Sequence, residues 1–345
     1  MARDPATDSG AAIALAAERA AAWLTSHIDA DGCIGGSRAP GLYFKVPSAL
    51  ALNGRRGTAG VVLDWIAGHL LAADGTLKLP DEVDRSRPVN TYDRGWLAWG
   101  AALCERHDLQ ETLADDLTAY QDRRTGGFWD SAEARASGEG LQGAMTAGMA
   151  GLGLLAEGRI EPARQAARFL EELWEGQADP AAGFDSNRRL TADWDGREGG
   201  AAPFFRERTS RHYVDLSGSA QRPARFGPAM AFLVRLHRLT GDPAHLACAR
   251  RYAGMFLTRD DLYLCVECHK YLWGLVELQQ VAPTAAYRDA ARKCAEYLVA
   301  AQQPDGSWLP EASSEGGEPS FELILNTACN ALVGLAYART ADLRP

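Results

Sequence analysis

At 345 residues, with 46% apolar and 23% charged side chains, the chain can bury a sizeable core, which excludes general disorder. A net charge of −9 excludes a protein that grips nucleic acid through a basic surface. Seven cysteines, an odd number at scattered spacings, fit reduced thiols better than a disulfide framework.

The first ten residues carry Asp4 and Asp8 and lack a basic-then-apolar leader pattern, so secretion is not expected. No uninterrupted apolar run reaches the roughly 18–20 residues of a membrane helix, so no integral membrane segment is expected. Together these features predict a cytoplasmic protein. Along the chain, apolar residues recur at three- and four-residue spacing, and period-two alternation is nearly absent. An amphipathic helix near 11–26 is followed by a small, apolar one near 45–53. The same order repeats at 58–72 and 92–104, at 110–121 and 144–156, and at 161–175 and 226–239. It returns at 243–257 and 268–280, and at 285–302 and 326–339. In 285–302, Tyr287, Ala291, Cys294, Ala295 and Leu298 share one stripe, with Arg288, Asp289, Arg292, Lys293 and Glu296 on the other faces. The run from Ala144 to Leu155 is apolar all round and rich in glycine, which predicts a buried helix closely packed on its neighbours. Six outer amphipathic helices alternating with six inner buried ones define an α/α toroid. This is an (α/α)6 barrel of about twelve helices in a single domain spanning 1–345.

Punctuation agrees with this count. Gly54, Gly158 and Gly241-Asp242-Pro243 end inner helices. Glycine turns leading to a bulky residue follow the outer ones: Asp29-Ala-Asp-Gly-Cys-Ile34, Asp74-Gly-Thr-Leu77, Gly126-Gly-Phe-Trp129, Gly183-Phe184 and Asp305-Gly-Ser-Trp308. One stretch breaks the spacing. Residues 176–225 are predicted to form a lid or long loop over one mouth of the ring. Over 200–226 it holds Arg206, Arg208, Arg211, Arg222 and Arg225 against Glu207 and Asp215, a basic excess suited to an anionic substrate. His212 adds a group that titrates near neutral pH.

The run Ala295-Glu-Tyr-Leu-Val-Ala-Ala-Gln-Gln-Pro-Asp-Gly-Ser-Trp308 resembles the Gln–Trp repeat of the terpene cyclase and protein prenyltransferase superfamily, whose squalene–hopene-cyclase-like members are toroids. Tyr120-Gln-Asp-Arg-Arg-Thr-Gly-Gly-Phe-Trp129 is a looser copy. The resemblance implies the scaffold rather than the reaction. Two signatures of that superfamily are missing. There is no Asp-x-Asp-Asp motif for protonation: Asp193-Trp194-Asp195-Gly196 fails at its fourth position, leaving Asp93 as the stand-in acid. Neither Asp115-Asp116 nor Asp260-Asp261 completes an Asp-Asp-x-x-Asp motif for magnesium.

In such a toroid the inner helices begin at one mouth, where their dipoles favour an anionic group. The residues at those starts are the candidate site. They include Tyr43, Phe44 and Lys45; Tyr92, Asp93, Arg94 and Trp96; Arg225 and Phe226; Glu267, Cys268, His269 and Lys270; and Asn326. Trp273, a turn into the 268–280 helix, joins the binding set. Aromatics among charges suit a small molecule with an apolar body and an anionic end, and can also steady a developing cation. Asp93, Glu267, His212 and His269 are the candidate acids and bases. Cys265, Cys268 and His269 are candidate zinc ligands; no other cofactor is expected. Prenyltransferase subunits place Asp and Cys where Glu267 and Cys268 stand, but Asn326 replaces their later histidine. Zinc-dependent lanthionine cyclases use an adjacent pair like Cys268-His269, yet their Trp-Cys-Tyr-Gly partner is missing here. The readings are therefore a cyclase or isomerase working by acid–base chemistry, a sugar-active toroid (epimerase or unsaturated-uronide hydrolase), and a catalytically silent binding or scaffold protein.

Overall fold

The computed structural model describes residues 5–72, 76–77, 91–192, 194, 203–205, 212–218, 223–310, 318–341 and 343. The outer helices are α1 (Pro5–Ser26), α3 (Arg56–His69), α5 (His107–Ala119), α8 (Ile160–Glu175), α10 (Pro243–Gly254) and α12 (Ala285–Ala301). The inner ones are α2 (Val46–Leu52), α4 (Thr91–Leu103), α7 (Ala144–Ala156), α9 (Gly227–Thr240), α11 (Cys268–Val281) and α13 (Phe321–Thr340). A short α6 (Ala132–Ser137) lies between the third pair. The inner helices close a ring in which α2 touches α4, then α7, α9, α11 and α13 follow, and α13 returns to α2. The expected (α/α)6 toroid is the observed fold. α13 is long and apolar enough to cross a membrane by composition, but most of it is buried as an inner helix, which explains that apolarity.

Glycine sets the spacing of this ring. A Cβ on Gly95 of α4 would lie 2.6 Å from the Met149 backbone of α7, and one on Gly148 of α7 would lie 2.4 Å from the Ala229 amide of α9. In the same way a Cβ on Gly227 of α9 would lie 2.0 Å from the Lys270 carbonyl oxygen of α11. Small residues let neighbouring inner helices approach backbone to backbone, which larger side chains would forbid.

The outer layer is stapled by the repeat residues. Gln302 donates to the carbonyls of Gly306 (3.0 Å) and Ala16 (2.8 Å), joining the end of α12 to α1 and so the two ends of the chain. Gln121 does the same from the end of α5 to Pro162 of α8 (2.8 Å). Gly126 and Gly306 have φ of +78° and +100°, and a Cβ on either would strike the backbone of the next outer helix. Trp308 donates to the Leu298 carbonyl at 2.7 Å. By register Phe128, not Trp129, is its counterpart in the looser copy; Trp129 packs with Tyr120 and Leu190 in a separate small cluster.

The stretch 176–225 is not all loop. Among its described residues are β2 (Gly183–Asp185), β3 (Asn187–Leu190) and β4 (Tyr213–Asp215). β3 pairs antiparallel with β1 (Gly140–Gly143), just before α7, and β2 pairs antiparallel with β4. The Ser186 carbonyl accepts from the Ala144 amide at 3.1 Å, so this insertion is fixed to the amino-terminal end of α7.

Candidate active site at the amino-terminal mouth of the ring

Along the inner helices one stripe of side chains points to the axis. It comprises Tyr92, Trp96 and Trp99 of α4 and His269, Trp273 and Glu277 of α11, at helical spacing. Trp99 stacks on Trp273 at 4.7 Å, Trp273 on Tyr337 of α13 at 5.5 Å, and Trp96 lies 5.9 Å from Trp273. Beyond this aromatic plug, Arg235 of α9 bonds the buried Glu277 (Nε–Oε1 2.8 Å) and Arg238 reaches its other oxygen at 2.9 Å. Side chains thus fill the carboxy-terminal side of the ring, which leaves the amino-terminal mouth as the candidate site.

At that mouth the turn after α5 supplies a carboxylate. The Asp130 carbonyl accepts from the Thr91 amide at 3.2 Å, and the Thr91 hydroxyl bonds the Trp129 carbonyl, so the turn is tied to the start of α4. The Asp130 side chain accepts from the Thr146 hydroxyl, in the first turn of α7, at 3.3 Å. Asp130 therefore sits between two inner-helix starts. Burial raises its carboxyl from 3.8 to about 7; the Thr146 bond works the other way, and the charge of Asp93 adds to the rise. Near neutral pH a large share of Asp130 carries a proton.

Cations complete the mouth. Lys45 Nζ lies 4.8 Å from the Phe44 ring centroid and 5.7 Å from that of Tyr92, and Lys270 Nζ lies 5.3 Å from the same Tyr92 ring. Arg225 ends the short 3₁₀ turn Pro223–Arg225 and donates to Ser186 Oγ at 3.2 Å. Burial, followed by the charge of Arg225, lowers Lys270 to about 8, although Glu267 and Asp93 pull it upward. His269 is buried, and desolvation with the charges of Lys270 and Lys45 holds it well below 6.5, so it is neutral. Its Nδ1 has no hydrogen-bond partner among the described residues, and neither do Trp96 Nε1, Asn326 Oδ1 and Asn330 Oδ1. These buried polar atoms on three inner helices are the mark of a place that receives a ligand's polar groups.

The structure therefore brings together Lys45, Tyr92, Asp93, Trp96, Arg225, Glu267, His269 and Trp273 from the residues read in the sequence, whereas Asn326 donates through Nδ2 to the Gly41 carbonyl at 3.1 Å. Others turn away. Tyr43 stacks on Trp65 at 4.3 Å, and its hydroxyl bonds the Ser37 carbonyl and accepts from the Ile34 amide, so it wedges α2 to α3. Phe226 stacks on Tyr252 of α10 at 5.3 Å, inside the interlayer core. His212 lies in the insertion, its ring edge-on to Phe205 at 4.7 Å and its carbonyl holding Ser186, the partner of Arg225. Arg206, Arg208 and Arg211 lie outside the described residues.

The candidate zinc ligands are not assembled. Cys268 is buried with its thiol toward the Cys294 carbonyl of α12 (3.6 Å), whereas His269 faces two ammonium groups. Adjacent helical residues diverge by about 100°, and a site ringed by Lys45 and Lys270 repels a divalent cation. Among the described residues no group of three His, Cys, Asp or Glu could hold a metal. The two aspartate pairs are also accounted for: Asp116 is ion-paired with Arg94 at 2.6 Å, while Asp260 meets Lys293 and Asp261 meets Arg259.

Asp130 and Thr146 escaped sequence reasoning, and Lys270 was noted only as one residue at a helix start. Asp130 belongs to no motif and follows an outer helix; its position one residue beyond the Gly126-Gly-Phe-Trp129 turn was the only available signal.

No protein-family model matches the chain, and no characterised protein matches it significantly in sequence. Solved structures do match in fold. An α-1,6-mannanase from Salegentibacter superposes with a TM-score of 0.64 at 13% identity, covering 94% of this chain and 98% of that one. An inactive form of the same mannanase, with two aspartates replaced, is known in complex with α-1,6-mannotetrose (TM-score 0.64, 12% identity, 96% of this chain and 99% of that one). A type II terpene cyclase from Scytonema, bound to geranylgeranyl dihydroxybenzoate, gives 0.60 at 11% identity over 97% of this chain and 99% of that one. The toroid expected from the helix alternation is therefore shared with a terpene cyclase and with a sugar-active enzyme. At these identities the likeness is one of fold.

Proposed function

We propose that the protein is a cyclase or isomerase that works by acid–base chemistry on a small molecule with an apolar body and an anionic end. The observation that carries this reading is the placement of Asp130 between the starts of α4 and α7, where burial and the charge of Asp93 raise its carboxyl to about 7. Lys45, Lys270 and Arg225 hold the anionic end. Tyr92 and Trp96 line the space for the body and offer π faces to a positive charge that develops there. Asp130 delivers the proton that starts the reaction, in place of the Asp93 expected from the sequence. The charge of Asp93 adds to the effect of burial on Asp130, and Asp93 is the group that takes up a proton at the end. The bound aromatic polyprenyl acid of the terpene cyclase, apolar with a polar head, is the kind of molecule this arrangement suits.

A second reading rests on one observation, the carboxylate pair itself. A pair of carboxyls is the equipment of glycoside chemistry, and the inactive mannanase lacks two aspartates. The deciding experiment measures turnover of a prenylated aromatic acid, an α-1,6-manno-oligosaccharide, free mannose and an unsaturated uronide by wild type and Asp130→Asn. The substrate turned over selects the reading. A loss of about 10²–10⁴-fold in kcat is expected from Asp130→Asn; unchanged turnover removes Asp130 as the acid.

A further inference from the structure

Lysine is scarce in this chain. Four lysines stand beside 32 arginines among its 36 basic side chains. Two of the four, Lys45 and Lys270, flank the single Tyr92 ring at the mouth. They are 6% and 7% exposed. Of the others, Lys293 is a surface residue ion-paired with Asp260, and Lys78 lies outside the described residues. A chain that meets almost every other demand for a cation with arginine has placed lysine where an ammonium is costliest. The ammonium is more strongly hydrated than a guanidinium and loses more on burial. For Lys270 little offsets that cost. Among the described residues its Nζ has the Tyr92 ring against it and no hydrogen bond or ion pair. Holding an anion does not require lysine, because arginine does it with better geometry. What lysine has and arginine lacks is an amine that can give up its proton and act as a nucleophile.

We propose that Lys270 captures a carbonyl compound as an imine, the ligand being an aldehyde or ketone whose carboxylate or phosphate is held by Lys45 and Arg225. The proposal rests on the mouth being the active site and names the reactive group of its substrate. The Nζ lone pair forms the C–N bond, and the carbonyl π pair takes the proton that the amine gives off, which yields a carbinolamine. Protonation of its hydroxyl expels water and leaves the C=N iminium. The step is redox-neutral and is reversed by hydrolysis. The groups facing Lys270 favour it: Arg225 and burial depress the ammonium to about 8 against the upward pull of Glu267 and Asp93, while Lys45 and the neutral His269 add no anion. A substantial neutral fraction therefore exists near neutral pH.

The test uses the intact protein, glyoxylate as the carbonyl probe and cyanoborohydride as the hydride donor, which converts an iminium into a stable secondary amine. Peptide mass mapping then locates the modified amine. Lys270 should be labelled at least about tenfold faster than Lys293, with a rate that climbs through pH about 8. Lys270→Arg should abolish the label without moving it to Lys45. Equal labelling of Lys293, Lys78 and the terminal amine, or preference for Lys45, overturns the proposal even if no variant folds. Running Asp130→Asn in parallel separates the two ideas. Labelling that persists in a variant without turnover supports both, and labelling absent from an active wild type sinks the imine alone. Turnover that Asp130→Asn leaves intact, with Lys270 still labelled, sinks only the acid.

Discussion

Replacing Asp130 by Asn should make the protein more stable above neutral pH while leaving it little changed in acid. In the folded chain the carboxyl is raised from 3.8 to about 7, chiefly by burial. Between those values the native state binds a proton that the unfolded chain has released, so wild-type stability falls as pH rises through the window. Three pH units at 1.36 kcal/mol each give a ceiling of about 4 kcal/mol for the cost of ionising Asp130 in place. Asp130 is only partly buried as a residue, so solvent screening reduces this, and about 2–4 kcal/mol is expected. Asn keeps an acceptor for Thr146 without the charge. Urea unfolding of both proteins at about pH 4 and about pH 8 gives the double difference directly, because all other titrating groups cancel. A double difference near zero, or one of opposite sign, would falsify the claim that this carboxyl is protonated in the folded state. The acid role would go with it.

Two further outcomes check the architecture. Glu277→Ala leaves the half-buried Arg235 without its carboxylate and should cost about 2–4 kcal/mol in urea unfolding, with Glu277→Gln milder; a loss below about 1 kcal/mol means the pair does not seal the barrel. Glycine-to-alanine changes should split in sign. Gly148→Ala drives a Cβ to 2.4 Å from the Ala229 amide and should destabilise by about 1–3 kcal/mol, whereas Gly60→Ala in α3 meets nothing within 4 Å and should gain up to about 1 kcal/mol. If both shift the midpoint alike, close backbone approach is not what the inner glycines provide.

The sequence by itself determined the scaffold. The alternation of amphipathic and all-apolar helices, the Gln302–Trp308 turn and the glycine breaks at Gly54, Gly158 and Gly241 are local signals, because each depends on spacing within a few residues. They placed every helix pair, and with them the end of the ring where the inner helices begin. Boundaries moved only modestly: α13 begins at Phe321, capped by Ser320, so Asn326 stands in its second turn rather than at its start. What tertiary structure alone decided is which side chains face that mouth. One residue along a helix turns a side chain by about 100°, so Cys268 faces α12 while His269 faces the axis, and in the turn before α2 Tyr43 faces α3 while Lys45 faces Tyr92. That roll is set by backbone contacts such as Gly227 against Lys270, between residues far apart in the chain. The same holds for Asp130, carried to the mouth by a turn that hydrogen bonds to Thr91. Its proton affinity comes from burial and from Asp93, and neither exists until the ring has closed.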